Sequence, residues 1–255
     1  MANVEKDGDM MGGFAKGLSV IEAFDEDHEA LSIADVSRLT GLDRATARRC
    51  LLTLLKGGYA STDGRLFALT PRVLRLGYAY LSAAPLPRRL QPFLERLSET
   101  TQESASAAIM DGSDVIYVAR AAQKRVMSVA LNIGSRLPAY CSSMGRVLLA
   151  ALPPEEARAL LEGSERPAMT PRTLTDVDDL MAELEKVRRC GYALVDQELE
   201  LGLRSIAVPI VTTGGRVVAA LNTGAQAARA STARLKAEVL PLLLDVQAQL
   251  RQVLA

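Results

Sequence analysis

The stretch "TGLDRATARRCLLTLLKGGY", from Thr40 to Tyr59, combines four basic residues with a dense series of apolar ones. On a helix that advances about 100° per residue, the apolar side chains gather on one side and small or basic side chains on the other. Asp43 is a favoured helix cap, and Gly57 and Gly58 form a favoured helix stop. The stretch therefore predicts one amphipathic helix with a basic outer side. That side is formed by Ala45, Thr46, Arg49, Thr53 and Lys56 and is flanked by Arg44 and Arg48.

The residues around this helix predict a small domain. Apolar residues at helical spacing predict a helix from Phe14 to Phe24, and Ser32 caps a second helix. After the basic helix, "YASTDGRLFAL" places Asp63 and Gly64 between two strand-like runs, which is the signature of a two-residue hairpin. Three short helices followed by a hairpin are typical of a winged helix-turn-helix. We predict this domain over residues 14–70, after a disordered lead-in at 1–13.

The local charge distribution indicates what the basic helix binds. Lys and Arg equal Asp and Glu at 30 residues each, so the whole chain is neutral. Between Leu31 and Arg75, however, eight basic residues accompany three acidic ones. An ordinary solvated helix face is the alternative, but this local excess favours a helix that enters the major groove of DNA. Arg65, just past the hairpin tip, is placed to meet the DNA backbone or the minor groove. The predicted DNA-binding residues are Arg44, Ala45, Thr46, Arg48, Arg49, Thr53, Lys56 and Arg65.

A second, larger domain follows a connecting helix. "TPRVLRLGYAYLSAA" opens with a cap and a proline, and prolines at Pro85 and Pro87 break the helix, so residues 71–87 are predicted as a linker helix. From Arg88 a helix runs to about Thr101, followed by alternating strand-like runs, turns and helices, with "VMSVALN" among the strands. This order predicts an α/β (α+β) domain over 88–255, with a mostly antiparallel sheet flanked by helices.

Several linked motifs resemble one protein family. "AKGLSVIEAF", "SIADVSRLTGLDRATARRCLLTLLKGGY" and "DGRLFALTPRVLRLG" resemble the DNA-binding domain of the IclR family of bacterial transcriptional regulators. "GSRLPAYCSSMGRVLLAAL", "TPRTLTD", "CGYALVDQELELGLRSIAVPI" and "AALNTG" resemble its effector-binding domain, in the same order. The resemblance implies a GAF-like domain that binds a small organic acid, and a homodimer or dimer of dimers on palindromic double-stranded operator half-sites. "PAYCSSMGRVLLA" most resembles the regulators of aromatic acid catabolism that answer to protocatechuate, hydroxybenzoate or β-ketoadipate pathway intermediates.

Two segments of the second domain can bind such an acid. In "YCSSMG", hydroxyl groups and free backbone N–H groups at a helix start suit a carboxylate, although helix capping alone also explains each serine. "DQELELGLRS" is either a solvated acidic loop with an internal arginine–carboxylate pair or, as the resemblance implies, part of the pocket. Asn222 is either a turn residue or a hydrogen-bonding pocket residue, whereas Ile116 and Met127 are predicted as core. The candidate effector-binding residues are Arg136, Tyr140, Ser142, Ser143, Met144, Gly145, Asp196, Arg204, Ser205 and Asn222.

The sequence lacks the patterns of an enzyme. Its single histidine, His28, lies in the first domain, and "CSSMG" lacks the first glycine of a nucleophile elbow. Three scattered cysteines do not form a zinc-ligand spacing, and Cys141 is predicted as a buried filler. The odd number of scattered cysteines favours a reducing cytoplasm, and no apolar signal segment is present. No cofactor is predicted, because no Gly-rich phosphate loop follows a strand. We therefore predict a ligand-responsive transcriptional regulator; the alternative is a small-molecule-binding or hydrolytic protein with a helical dimerisation head.

Overall fold

The computed structural model describes residues 10–25, 27–123 and 131–254. The chain divides into two compact units, with the boundary between Ser82 and Ala83. Most of the predicted strand "VMSVALN", including Met127, lies outside the described residues, as do residues 1–9 of the predicted lead-in. Within the part of the chain that the structure describes, no helix is both long enough and apolar enough to cross a membrane.

The N-terminal unit is a winged helix-turn-helix, as predicted. Its first helix begins at Gly12, two residues before the predicted start, and Ser32 and Asp35 form a reciprocal capping box at the second. The hairpin prediction is wrong in loop length. Thr62 pairs with Phe67, so the loop has four residues, and its Asp63 carboxylate accepts hydrogen bonds from the backbone N–H groups of Arg65 and Leu66. The elements are α1 (Gly12–Glu22), α2 (Ile33–Thr40), α3 (Arg44–Lys56), β1 (Ala60–Thr62) and β2 (Phe67–Leu69).

Two helices follow the hairpin. A short 3-10 turn (Pro71–Val73) leads into α4 (Leu74–Ala83), and α5 (Pro85–Thr101) begins after Ala84. The prediction that α5 starts at Arg88 is wrong, because Pro85 and Pro87 occupy the first turn, where a missing N–H costs nothing. No residue of α4 is buried.

The C-terminal unit contains a six-stranded antiparallel sheet, which agrees with the predicted fold class. The strands, in spatial order, are β5 (Arg136–Pro138), β4 (Asp114–Ala121), β3 (Ser104–Asp111), β8 (Val217–Gln226), β7 (Leu203–Val211) and β6 (Ala193–Asp196). The remaining helices are α6 (Ser143–Ala151), α7 (Pro154–Glu162), α8 (Val177–Cys190) and α9 (Thr232–Arg234), which continues through a π-helical segment (Leu235–Val239) into α10 (Leu240–Val253).

Helices cover both faces of this sheet. One core joins α5, the π-helical segment and α10 to residues such as Ala105, Val118 and Ile206. The other joins α6, α7 and α8 to residues such as Tyr117 and Ala207. Except at a bulge in β4, side chains of one strand alternate between the two cores, as a pleated strand requires. The face covered by α6 carries the polar residues described below.

Candidate functional site

The first turn of α3 is fixed by its cap. The Asp43 carboxylate accepts hydrogen bonds from the Thr46 backbone N–H at 2.9 Å and from the Thr46 hydroxyl at 2.7 Å. These bonds, the hydroxyl's first, lower the pKa of Asp43. Thr46 is buried, beside Gly13, Lys16 and Gly17 of α1. The expectation that Thr46 lies on the outer side of the helix is therefore wrong, because its hydroxyl is turned inward to the cap.

The rest of the predicted outer side of α3 faces solvent. Ala47, Leu51 and Leu54 pack in the core of the unit. No salt bridge among the described residues involves Arg44 or Arg48, so their charges are available to a partner. We call the exposed residues the α3 face. It comprises Arg44, Ala45, Arg48, Arg49, Thr53 and Lys56.

The hairpin adds a further basic group to the same unit. Arg65 is exposed in the β1–β2 loop, whose shape the Asp63 carboxylate fixes. The end of the hairpin is anchored where the guanidinium group of Arg72 lies over the ring of Tyr59, 5.2 Å from its centroid. A winged helix-turn-helix contacts DNA with a basic helix and with its hairpin, which is called the wing.

The C-terminal unit encloses a pocket between the sheet and the first turn of α6. Two rows of small and polar side chains form its floor. In the first row, Ser106 of β3 pairs with Arg120 of β4 and Asn222 of β8. The second row consists of Ser104, Gly224 and Ser205 of β3, β8 and β7. The cavity measures about 40 Å³ in this structure, which is smaller than the ~300–1,000 Å³ of typical small-molecule sites.

Arg120 is the cationic side chain among the described residues that line this pocket. Its Nη1 donates a hydrogen bond to the Ser106 hydroxyl at 2.8 Å, but its buried Nε has no partner. Burial lowers the pKa of the Arg120 guanidinium, because the charge is partly removed from water. No carboxylate among the described residues forms a salt bridge with Arg120. A half-buried arginine with a spare donor is suited to an anionic ligand.

A β-bulge explains why the sequence pattern missed Arg120. Ala107 and Ala108 of β3 pair with Ala119 and Tyr117 of β4, so Val118 has no partner of its own. Val118 and Ala119 both join the core on the opposite face. Tyr117 and Arg120 therefore both line the pocket, although strict alternation would place them on opposite faces.

The start of α6 forms the opposite wall. The Ser142 hydroxyl caps the helix by accepting the Gly145 N–H at 3.2 Å. The Ser143 hydroxyl is buried, lines the pocket and has no hydrogen-bond partner in the structure. Met144 also lines the pocket, whereas Gly145 does not. A Cβ at Gly145 would overlap the backbone of Ala139, so this glycine allows close packing of α6.

The predicted effector residues divide into two groups. Ser142, Ser143, Met144, Ser205 and Asn222 line the pocket. Arg136, Tyr140, Gly145, Asp196 and Arg204 do not. The structure therefore brings half of the predicted set together, and it adds Arg120, Tyr117, Ser106 and Ser104, which sequence reasoning did not select.

The residues outside the pocket have other partners. Arg136 is exposed and forms salt bridges with Asp111 at 2.5 Å and Asp114 at 3.0 Å. The Tyr140 hydroxyl donates to the Pro167 carbonyl at 2.5 Å. Both side chains therefore bond to other residues of the protein outside the pocket.

Arg204 and Asp196 form a pair of their own. The Arg204 Nε donates to the Asp196 carboxylate at 2.6 Å, and its Nη1 donates to the Ala227 and Ala230 carbonyls, each at 2.9 Å. The Arg204 hydrogen bond is the main reason that the pKa of Asp196 is lowered. Arg204 is adjacent to Ser205 in β7 and points to the other face. The internal arginine–carboxylate pair considered for this loop is thus the arrangement found.

A buried ion pair between Arg146 and Glu198 joins α6 to the loop between β6 and β7, beside the pocket. Arg146 of α6 is buried, and its Nη1 donates to Glu198 Oε1 at 2.7 Å while its Nε donates to the Tyr140 carbonyl at 3.0 Å. Glu198 Oε2 also accepts the Leu174 N–H at 3.1 Å. Leu199, next to Glu198, lines the pocket. The sequence did not indicate this pair, because its members are 52 residues apart.

Within the described ranges, no group of three or more His, Cys, Asp and Glu residues could hold a metal ion. Cys141 is buried, as predicted for a filler, and burial raises the pKa of its thiol to about 11. A thiol of this kind is a poor nucleophile at neutral pH.

A winged helix-turn-helix with a basic helix, together with a second unit that encloses a small-molecule pocket, defines a ligand-responsive DNA-binding regulator. Residues 14–64 match the IclR helix-turn-helix domain, and residues 78–251 match the C-terminal domain of bacterial IclR transcriptional regulators. The chain belongs to the IclR family, whose members are transcriptional regulators and not enzymes.

Relatives of known name are similar over nearly the whole chain. The Pca regulon regulatory protein of Pseudomonas putida is 48% identical, over 93% of this chain and 82% of its own. The p-hydroxybenzoate hydroxylase transcriptional activator of Acinetobacter baylyi is 39% identical, over 96% of this chain and 92% of its own. The structure of an IclR homologue from Microbacterium hydrocarbonoxydans, complexed with 4-hydroxybenzoate, superposes with a TM-score of 0.74 at 26% identity, over 94% of this chain and 98% of that one.

Proposed function

We propose that this regulator senses an aromatic carboxylic acid and controls genes for the catabolism of such acids. The observation that carries the proposal is Arg120, a half-buried cation in the pocket whose Nε has no partner. A carboxylate would supply the missing acceptor and neutralise the charge. Relatives support the choice of acid, because one activates the gene for p-hydroxybenzoate hydroxylase and another is complexed with 4-hydroxybenzoate.

The walls of the pocket suit the remainder of such a molecule. Met144, Leu137 and Leu203 offer apolar contacts for a ring. The Ser143 hydroxyl, buried without a partner, is a second donor for the carboxylate. Ser205, in the second row, offers a polar group for a ring hydroxyl, and Asn222, in the row of Arg120, offers one for the carboxylate. In this proposal, the protein binds the acid through one charged contact, hydroxyl contacts and apolar packing.

DNA binding is assigned to the N-terminal unit. The α3 face would enter the major groove, and Arg65 would contact the backbone or the minor groove. Thr46 leaves the predicted set, because its hydroxyl is bonded to the cap. We assign residues 14–70 to the DNA-binding domain, 71–84 to the connection and 85–255, from the start of α5, to effector binding.

We infer that the protein acts in the cytoplasm as a homodimer or a dimer of dimers. One helix-turn-helix reads few base pairs, and pairing two of them on a palindromic operator is the usual remedy. Helix α4 supports this assembly, because it has no buried residue and exposes Leu74, Leu76, Tyr78 and Tyr80. A short helix of this kind is only marginally stable alone, so a second copy would cover its apolar side chains.

The test is binding of the purified protein to the DNA upstream of its own gene. Binding is measured at several salt concentrations, with and without p-hydroxybenzoate or protocatechuate. We expect salt-sensitive, sequence-specific binding that one of these acids alters several-fold, since effector coupling of about 1–3 kcal/mol is typical. Specific binding that ignores both acids would remove the aromatic effector and keep the regulator.

A further inference from the structure

Gly224 lies within β8, on the sheet face that forms the pocket floor. Its neighbours across the sheet are Ser104 of β3 and Ser205 of β7, so it is the centre of a row of small residues. Glycine weakens the interior of a strand, because it adds backbone freedom and has no side chain to pack. A glycine here therefore needs an explanation.

The fold itself does not require this glycine. The φ angle of Gly224 is not positive, so residues other than glycine can adopt its backbone conformation. A Cβ at this position would approach no closer than 3.7 Å to Leu203 Cδ1 and 4.0 Å to the Arg204 carbonyl oxygen. These are ordinary van der Waals distances. Gly145 is the opposite case, because a Cβ there would overlap the backbone of Ala139.

The place of Gly224 in the pocket supplies the explanation. It follows Asn222 by two residues on the same face of β8, which is about 7 Å along the strand. Asn222 and Arg120 belong to the adjacent row, where the carboxylate would bind. The separation of the rows is close to the length of a hydroxybenzoate molecule. A side chain at 224 would fill space at the far end of the ring.

We propose that Gly224 determines the size of effector that the pocket accepts. The missing side chain leaves room over the second row for an aromatic ring, and a larger residue would restrict the pocket to smaller acids. This role rests on the proposed function, because it concerns the same pocket and the same class of ligand. In this proposal Gly224 sets the size of the ligand, whereas other residues bind its carboxylate.

The test compares Gly224→Ala and Gly224→Val with the native full-length chain by isothermal titration with p-hydroxybenzoate and protocatechuate. A single methylene in a binding pocket changes affinity by about 10–200-fold. We expect a loss of about 10-fold for Gly224→Ala and about 100-fold for Gly224→Val, with operator binding in the absence of acid unchanged. The midpoint of thermal unfolding of Gly224→Ala should be no lower than that of the native chain.

The control is Thr223→Val, at the adjacent residue on the opposite face. Thr223 is buried and its hydroxyl has no hydrogen-bond partner in the structure, so valine of similar shape loses no bond and should leave affinity within about twofold. Native-like affinity of Gly224→Val would overturn the size role alone. A large drop in the unfolding midpoint of Gly224→Ala would also overturn it, because the fold would then require the glycine. If the native chain bound neither acid, both the size role and the effector class would be overturned.

Discussion

The α3 face and the sensor pocket use arginine in opposite ways. Arg44 and Arg48 are exposed, whereas Arg120 is half-buried and Arg146 is fully buried. An exposed charge remains solvated, so it contributes little alone and salt screens it. A buried charge has lost its hydration, so removing its partner strongly lowers the free energy of unfolding or of ligand binding. The comparison teaches that burial, more than residue type, sets the size of each arginine's effect.

The buried ion pair gives the largest predicted effect. Glu198→Gln would leave the Arg146 guanidinium buried without a carboxylate, and we expect the free energy of unfolding to fall by about 3–5 kcal/mol. Urea denaturation followed by circular dichroism measures this change. Replacing both partners, Arg146→Met with Glu198→Leu, should recover most of the loss. Full stability of Glu198→Gln would break the comparison, since a buried charge would then need no partner.

Arg120 tests the same principle on the ligand. Arg120→Met removes the pocket cation, and truncating one partner of a buried charge pair costs about 2–5 kcal/mol, or roughly 30-fold or more in affinity. Titration with p-hydroxybenzoate measures the loss, and operator binding without acid should not change. Arg136→Met is the matched control, because Arg136 is exposed outside the pocket. Equal losses in both variants would contradict the placement of the carboxylate.

The α3 face should show smaller, salt-dependent effects. Arg48→Ala removes one exposed charge, and we expect operator affinity to fall by about 1 kcal/mol, or roughly fivefold. The slope of log affinity against log salt concentration should become less steep by about one. Arg251→Ala, an exposed arginine of the other unit, serves as the control and should change neither quantity. An unchanged salt slope in Arg48→Ala would remove this residue from the DNA interface.

Thr46 tests the boundary of the α3 face, because its predicted effect is on stability and not on operator binding. Thr46→Val keeps the shape but loses the hydrogen bond to Asp43, so the free energy of unfolding should fall by about 1 kcal/mol. Operator affinity should stay unchanged, as measured well below the unfolding midpoint. The opposite result, weaker operator binding at native stability, would mean that the Thr46 hydroxyl contacts DNA.

The N-terminal unit could be predicted because its signals are local. Caps at Ser32 and Asp43, helical spacing and the Gly57 stop all act within a few residues. The inward turn of Thr46 was missed because helical spacing places it on the outer side, while the hydrogen bond to the cap holds the side chain inside. The length of the hairpin loop depends on how Thr62 and Phe67 pair, which the sequence of the turn leaves open.

The pocket was predicted only in part because distant segments assemble it. The helix start at Ser142 is a local signal, and it was found. Arg120 faces the pocket only through the bulge at Val118, which has no sequence signature here. Arg204 could have been excluded, because strand alternation turns it away from the face of Ser205.

The central claim is that acid bound in the pocket and operator bound by the α3 face influence each other. The most direct test is the affinity of the full-length protein for p-hydroxybenzoate, titrated with and without saturating operator DNA. Linkage requires the operator to change the acid's affinity by the same factor by which the acid changes the operator's. We predict a change of about 5–150-fold, corresponding to about 1–3 kcal/mol of coupling. Equal acid affinity with and without operator would contradict the claim, even if each ligand bound tightly alone.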